Sequence, residues 1–352
     1  MLRPAPKKIN GFGGAGQMPE SSAMPALTLG IIDPFHPRIL DTIRQAAPDD
    51  WRLSITEAPT EAARAAALAP ADIAFVMATP MPRSLLETAA RLAFIQKLGA
   101  GTDRIDSAYC AEAGIGLARL QAGNNIPVAE HTLLLMLAAC RQLPRLDRKT
   151  RAGDWDKEDA RGMNRQIHGQ TVGILGFGAI GLRVAQLLGP FGAQLVYHDP
   201  VRATAADETA LGVRYAALDD LIAEADILTL HLPLLPDTAN LIDARRLRAM
   251  RPGAILVNAA RGGLVDEAEL ARALEDGHIF AAGLDAFATE PPVGSPLLSL
   301  ENTVVTPHTA GGTIDNFAGI AARGVANVQR ILAGEPLDPA ELLVPMARRI
   351  AA

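Results

Sequence analysis

The sequence predicts an α/β protein of two doubly wound parallel sheets, and three observations carry that expectation. Short apolar runs alternate with helical stretches in two separate series along the chain. A glycine-rich turn joins strand to helix at the head of the second series. The length of 352 residues, at about 150 residues per domain, allows roughly two cores. Hydrophobic residues are 49% and charged residues 20%, the profile of a globular chain and not a disordered one. The net charge is −6, so no broad basic face for nucleic acid or an anionic membrane is expected.

Residues Met1 to Pro25 are rich in Pro, Gly and Ser without an apolar period and read as a flexible tail. Lys7 and Lys8 open it, but no long apolar stretch follows, so a secretory signal is not expected. Met18 and Met24 offer later starts. Strands are expected at Leu27–Ile32, Asp72–Met77 and Ala93–Leu98, with helices at Pro37–Ala47 and Arg83–Ala90 between them. Pro127–Leu143 reads as a long apolar helix buried on several sides. Thr132–Cys140, its longest apolar run, falls short of the roughly 20 residues that span a bilayer. Arg145–His168 is polar and reads as a loop or connecting helix.

The second series starts at Thr171. Its expected strands are Thr171–Leu175, Gln194–His198, Asp226–Leu230, Ala254–Asn258, Phe280–Leu284 and Thr303–Val305. Helices are expected at Ala179–Leu188, Ala244–Met250 and Glu267–Glu275, and an amphipathic one at Thr313–Leu332. Pattern alone divides the chain once, near residue 150. The two cysteines, Cys110 and Cys140, have neither C-x-x-C nor zinc-ligand spacing. No disulfide framework and no metal are therefore expected, and a reducing cytoplasm fits.

The pattern G-x-G-x-x-G occurs twice. Gly11 to Gly16 sits in the tail with no strand before it and no helix after it, so it reads as a chance match. Gly176-Phe177-Gly178-Ala179-Ile180-Gly181 lies between an expected strand and an expected helix. There Gly176 allows the tight turn, Gly178 lets the backbone approach a pyrophosphate, and Gly181 lets helix and strand pack closely. The phosphates would meet free N–H groups at the positive end of the helix dipole. Asp199 ends the next strand, where a carboxylate binds the ribose hydroxyls and repels a 2′-phosphate. NAD is expected over NADP, with Arg202 close enough to soften the preference.

Three further residues follow later strands, at the edge where open α/β sheets bind ligands. Arg261 stands in Asn258-Ala259-Ala260-Arg261-Gly262-Gly263, Glu290 in Asp285 to Pro292, and His308 in Thr306 to Gly312. Chemically they form a set. Hydride transfer to a 2-oxo acid leaves an oxyanion, which an imidazolium can protonate, and a carboxylate beside the ring favours its charged form. A guanidinium holds a carboxylate through two parallel hydrogen bonds.

These segments resemble the NAD-dependent D-2-hydroxyacid dehydrogenase family. The matching text is VGILGFG at Val172, His231-Leu232-Pro233 with Asp237-Thr238, NAARGGLVDE at Asn258, GLDAFATEPP at Gly283 and TPHTAGG at Thr306. Upstream, Lys97 to Asp103 (KLGAGTD) and Val128 to His131 also match, so the resemblance runs from about Leu27 to Leu332. It implies two Rossmann-like domains with the active site in the cleft between them. A substrate domain of residues 26–125 and 313–352 would be discontinuous, and an NAD-binding domain would span 126–312.

The resemblance also implies Arg261 as substrate anchor, Glu290 as partner of the acid/base, and His308 as proton donor and acceptor. Asp285 would contact the nicotinamide carboxamide, with His231, Pro233, Ala259, Arg261 and His308 also at the cofactor. Leu98 and the N–H groups of Gly99, Ala100 and Gly101 would hold the substrate carboxylate. Ala286 replaces a more usual Val, and Thr309 stands where Ser or an apolar residue is common; both bear on nicotinamide packing. His131 reads as a buried, hydrogen-bonded histidine. Lys97 lies beside the substrate loop and could touch a charged substrate, but reads by default as a strand-end surface lysine. His36, His168, His198 and His278 lack a catalytic partner in the sequence.

Glyoxylate or hydroxypyruvate is the expected substrate. Phosphoglycerate is an alternative, weakened in this reading because the chain ends soon after the core, without room for a C-terminal regulatory domain. Formate and phosphite are other family substrates. A protein that senses NAD without catalysis would not need Arg261, Glu290 and His308 together. A homodimer is implied by the family alone.

Overall fold

The computed structural model describes residues 27–121 and 123–350. The tail expected over Met1–Pro25, with its Gly11–Gly16 motif, lies outside the described residues. The described strands are β1 (Thr28–Ile31), β2 (Arg52–Ile55), β3 (Ile73–Val76), β4 (Phe94–Lys97), β5 (Gly116–Arg119), β6 (Thr171–Leu175), β7 (Gln194–His198), β8 (Val213–Tyr215), β9 (Ile227–Leu230), β10 (Ala254–Asn258), β11 (Ile279–Leu284), β12 (Thr303–Val305) and β13 (Leu342–Val344).

They form two sheets. The first has the order β13-β5-β4-β3-β1-β2 and the second β12-β11-β10-β9-β6-β7-β8. All pairings in the second sheet are parallel. In the first, β13 adds an antiparallel edge beside β5. Each sheet reverses direction once, between β1 and β3 and between β6 and β9. At such a reversal the loops above the strand ends separate and leave a crevice.

Each sheet is covered on both faces. On the first, the helices Pro37–Ala46 and Ile314–Leu332 bury Ile43, Phe317, Ile320 and Val328 against Leu29, Phe75 and Phe94. Leu68, Leu86 and Cys110 cover the opposite face, against Ile95 and Leu117. Phe94 and Ile95 are consecutive and point to opposite faces, as the strand period of two requires. The second sheet is covered by the helices Asn125–Cys140 and Ala179–Leu188 on one face. Leu218–Glu224, Ala244–Ala249 and Glu267–Glu275 cover the other. The chain therefore crosses between the two units near residue 125 and again before Ile314.

Two expected helices are shorter than the sequence suggests. The helix at Arg83 ends at Leu86. The long apolar helix ends at Cys140, where Gln142 takes a left-handed φ of 47° and a second helix, Leu143–Arg151, begins. Lys157–Met163 is helical as well, so the polar connection is two short helices. The C-terminal strand is fixed by main-chain bonds from Ala347 and Arg348 to Gly114 O. The Arg348 guanidinium adds bonds to Ala113 O and Leu92 O.

Ile320 joins the C-terminal helix to the first sheet and is 3% exposed. Ile320→Ala should lower stability by about 2–5 kcal/mol, read as an earlier urea midpoint. An unchanged midpoint would show that this helix does not complete the first core.

Candidate active site

Strand β6 runs into Gly176, whose φ of 94° is open to glycine and strained for other residues. A Cβ on Gly181 would lie 2.1 Å from Gly176 O, so helix and strand meet here without room for a side chain. Gly178 faces open space, with nothing within 4 Å of a Cβ built on it. The helix Ala179–Leu188 starts with no side-chain cap, which leaves its first N–H groups directed outward. Open space beside uncapped N–H groups fits a pyrophosphate. The Phe177 ring turns inward and stacks on Tyr197 at 4.1 Å, and Ile180 packs on the core while Ala179 stays exposed.

Asp199 stands at this turn. Its Oδ2 accepts from Phe177 N at 2.7 Å and its Oδ1 from Val201 N at 2.8 Å. Arg202 is committed elsewhere: it donates to Glu208 at 2.8 and 3.0 Å, and Tyr197 OH donates to the same carboxylate at 2.7 Å. The bonds from Arg202 and Tyr197 hold the Glu208 carboxyl down at about 2. Across the turn, the His231 carbonyl packs on Gly176. Burial drives the His231 imidazole down to about 3, and its Nε2 bonds Thr229 Oγ1 at 3.0 Å. Pro233 is exposed beside it, and Ala259 lies buried at the end of β10.

Arg261, Glu290 and His308 come together at the C-terminal ends of β10, β11 and β12. A Cβ on Gly262 would lie 1.9 Å from Phe287 C, so the Arg261 loop rests directly on the Glu290 loop. His308 Nδ1 bonds Glu290 Oε1 at 2.8 Å, and Phe287 N donates to the same oxygen at 3.1 Å. Oε2 accepts from Arg104 at 2.6 Å. Burial opposes ionisation of Glu290, but the bonds from His308, Phe287 and Arg104 outweigh it and hold the carboxyl at about 2. His308 Nε2 has no hydrogen-bond partner among the described residues. Its backbone is left-handed, with φ 54°, a conformation that persists only where its surroundings enforce it.

Asp285 supplies that enforcement. Its buried carboxylate accepts from Thr306 Oγ1 at 2.6 Å, Thr309 N at 2.9 Å and Ala310 N at 2.8 Å, bracketing His308. His131 bonds Thr306 Oγ1 at 2.9 Å from the long helix, the hydrogen-bonded role expected of it. The remaining histidines hold loops or caps through Arg38 N, Phe191 O, Ala216 O and Leu247 O.

The loop after β4 faces this set from the first sheet. Arg261 lies against Gly101, where a Cβ would sit 1.9 Å from its Nη2, and is 3.3 Å from Asp103. Gly99 is half-buried beside the Lys97 ammonium, and Ala100 is exposed. The Leu98 side chain is in the first core and its N–H donates to Val76 O.

The default surface role of Lys97 does not hold, and its position beside the Gly99 loop is the one the alternative reading gave it. Its ammonium is half-buried, donates to Met77 O and reaches the cleft wall beside Gly99. Burial pushes it down to about 8; Asp33 partly opposes this, and Arg261 adds to it. Sequence reasoning also missed Asp33, which ends the strand at the first sheet's reversal and accepts from Ala78 N at 2.7 Å and Thr79 N at 2.8 Å. The available signal was position, since both residues stand at the C-terminal ends of central strands. Both cysteines are free, and burial pushes their thiols up to about 11.

Residues 133–310 match the family described as D-isomer specific 2-hydroxyacid dehydrogenase, NAD binding domain. The chain is 42% identical over 271 residues to D-3-phosphoglycerate dehydrogenase of Mycobacterium bovis, across 77% of this chain and 51% of that protein. It thus spans about half the length of that relative. It is 36% identical over 241 residues to hydroxypyruvate reductase of Thermotoga maritima, across 68% of this chain and 77% of the relative. The solved D-lactate dehydrogenase of Aquifex aeolicus, complexed with NAD and lactic acid, superposes with a TM-score of 0.75 at 28% identity, covering 88% of this chain and 96% of that one. With the glycine-rich turn, its strand-end acid and this match in hand, the chain belongs to the D-isomer specific 2-hydroxyacid dehydrogenases and carries their NAD-binding domain.

Proposed function

We propose that the chain reduces a small 2-oxo acid to the D-2-hydroxy acid with NADH, and catalyses the reverse with NAD. The observation that carries this reading is the His308–Glu290 pair at 2.8 Å, with Arg261 beside it in the same cleft. A protein that only senses NAD has no use for this set.

Gly176–Gly181 would hold the pyrophosphate of NADH and Asp199 its adenosine ribose, and the bound cofactor would supply a hydride for C2 of the substrate. Arg261 takes the substrate carboxylate through two parallel hydrogen bonds. To do so its guanidinium leaves Asp103, a partly exposed pair at 3.3 Å, and such pairs cost little to break. The N–H groups of Gly99, Ala100 and Gly101 complete the anchor. Glu290 holds the proton of His308 on Nδ1, which leaves Nε2 to give its proton to the developing alkoxide. Asp285 keeps that ring in place through its loop.

In this reading residues 26–125 and 313–352 form the substrate domain and 126–312 the cofactor domain. Closure about the two crossings excludes water from the cleft. His231, Pro233 and Ala259 border the cofactor. Glyoxylate and hydroxypyruvate are the preferred substrates. One observation favours a second reading: the Lys97 ammonium beside Arg261 suits a substrate with another anionic group, such as 3-phosphohydroxypyruvate. A homodimer is supported by an unpartnered apolar stripe. Ile126, Leu134 and Leu137 are exposed on one face of their helix, with Leu143 and Trp155 nearby in the chain. Two free, buried cysteines suit a reducing cytoplasm. Among the described residues no helix is long and apolar enough to cross a membrane.

NADH oxidation at 340 nm with glyoxylate, hydroxypyruvate and 3-phosphohydroxypyruvate tests the reaction and ranks the substrates. His308→Gln should lower kcat by at least about 100-fold while NADH binding, followed by fluorescence, is kept. Undiminished turnover would remove His308 from the chemistry.

Lys97 adds a pH dependence. Its ammonium is present below about 8 and lost above it, so KM for the phosphorylated substrate should climb as pH rises through that value. Lys97→Arg should carry the climb to higher pH, and Lys97→Met should start high and stay flat. A wild-type KM constant from pH 7 to 9 would show that the ammonium does not meet the substrate.

A further inference from the structure

Consecutive residues Asp103 and Arg104 reach across the cleft and pair with two site residues of opposite charge. Asp103 meets Arg261 at 3.3 Å and Arg104 meets Glu290 at 2.6 Å. Their backbone is fixed: Arg104 O accepts from Met81 N, Ile105 bridges Met81, and the Ile105 side chain is buried in the first core. The guanidinium is therefore presented from a rigid turn.

We propose that Arg104 is a positioning residue for the proton donor: it anchors the Glu290 carboxylate that orients His308, and its charge makes that pair a stronger acid. This rests on the acid/base reading of His308 above. With Oε2 tied to Arg104, Oε1 is left to Phe287 N–H and the imidazole, which fixes the carboxylate plane. A cation on the far oxygen also draws negative charge away from the imidazolium and repels it, so the Nε2 proton is released more readily. Arg104 comes from the first sheet's loop, so its charge reaches the pair only with the cleft in this geometry. Closure and proton donation are thereby coupled.

Other charged groups frame the pair without replacing Arg104. Glu267 accepts from Ala288 N in the Glu290 loop, and Asp285 is tied to the His308 loop from below. Lys97, Asp33, Asp103 and Arg261 form a separate cluster along the same cleft.

The test compares wild type, Arg104→Gln, Arg104→Lys and His308→Gln in the pH profile of reduction. Imidazole titration by NMR, with the His308 signal assigned from His308→Gln, is read in parallel. In Arg104→Gln the alkaline limb and the His308 midpoint should both move up by about half to one pH unit. Its kcat at neutral pH should fall severalfold at constant KM. Arg104→Lys should restore both positions. Unmoved midpoints in Arg104→Gln, with His308→Gln inactive, would overturn the role of Arg104 and leave the acid/base reading intact. An alkaline limb that survives in His308→Gln would overturn both.

Discussion

The Glu290 carboxylate accepts hydrogen bonds from three loops: its own, the one after β12, and the first sheet's loop 186 residues upstream. A carboxylate this close to the interior is costly unless each lone pair is used. Here one oxygen takes Phe287 N–H and the imidazole, and the other takes a guanidinium. The result is an ionised group whose orientation is dictated from both sides of the cleft. The direction of His308 follows from it, and so does the charge beside its ring.

Each sheet uses a strand-end aspartate to hold the loop of a neighbour. Asp33 gathers the N–H groups after β3 and so fixes the wall where Lys97 docks on Met77 O. Asp285 gathers those after β12 and imposes the left-handed backbone of His308. These carboxylates convert flexible loop backbone into rigid surface, because a buried acceptor with several donors penalises every alternative loop conformation. The two surfaces face each other, and the hydride transfer with coupled proton donation proposed above needs that fixed geometry.

Much of this was legible in the sequence. The strands Thr171–Leu175, Gln194–His198 and Ala254–Asn258 fall where their apolar runs place them, since mostly buried parallel strands are nearly continuous apolar segments. Arg52–Ile55, Val213–Tyr215 and Leu342–Val344 carry weaker signals because all three are edge strands, short and covered on fewer sides. The order of Arg261, Glu290 and His308 at strand ends was readable too, because a parallel sheet puts all its carboxyl ends on one side. What lay beyond the sequence were contacts between strand ends and between the two units. Lys97 donates to Met77 O of a neighbouring strand end within the first sheet, and Arg104 finds Glu290 across the cleft. No local period encodes either. Leu98 shows the converse, a motif residue whose side chain belongs to the core.

We propose direct hydride delivery to C2 within this cleft, with His308 supplying the proton. The most direct measurement is a single turnover with NADH deuterated at C4 and glyoxylate or hydroxypyruvate, with the product read by NMR. The account predicts deuterium on C2 of the hydroxy acid in stoichiometric amount with NAD, and loss of product formation in His308→Gln. Hydrogen from solvent at C2, or product formed equally well without His308, would contradict it.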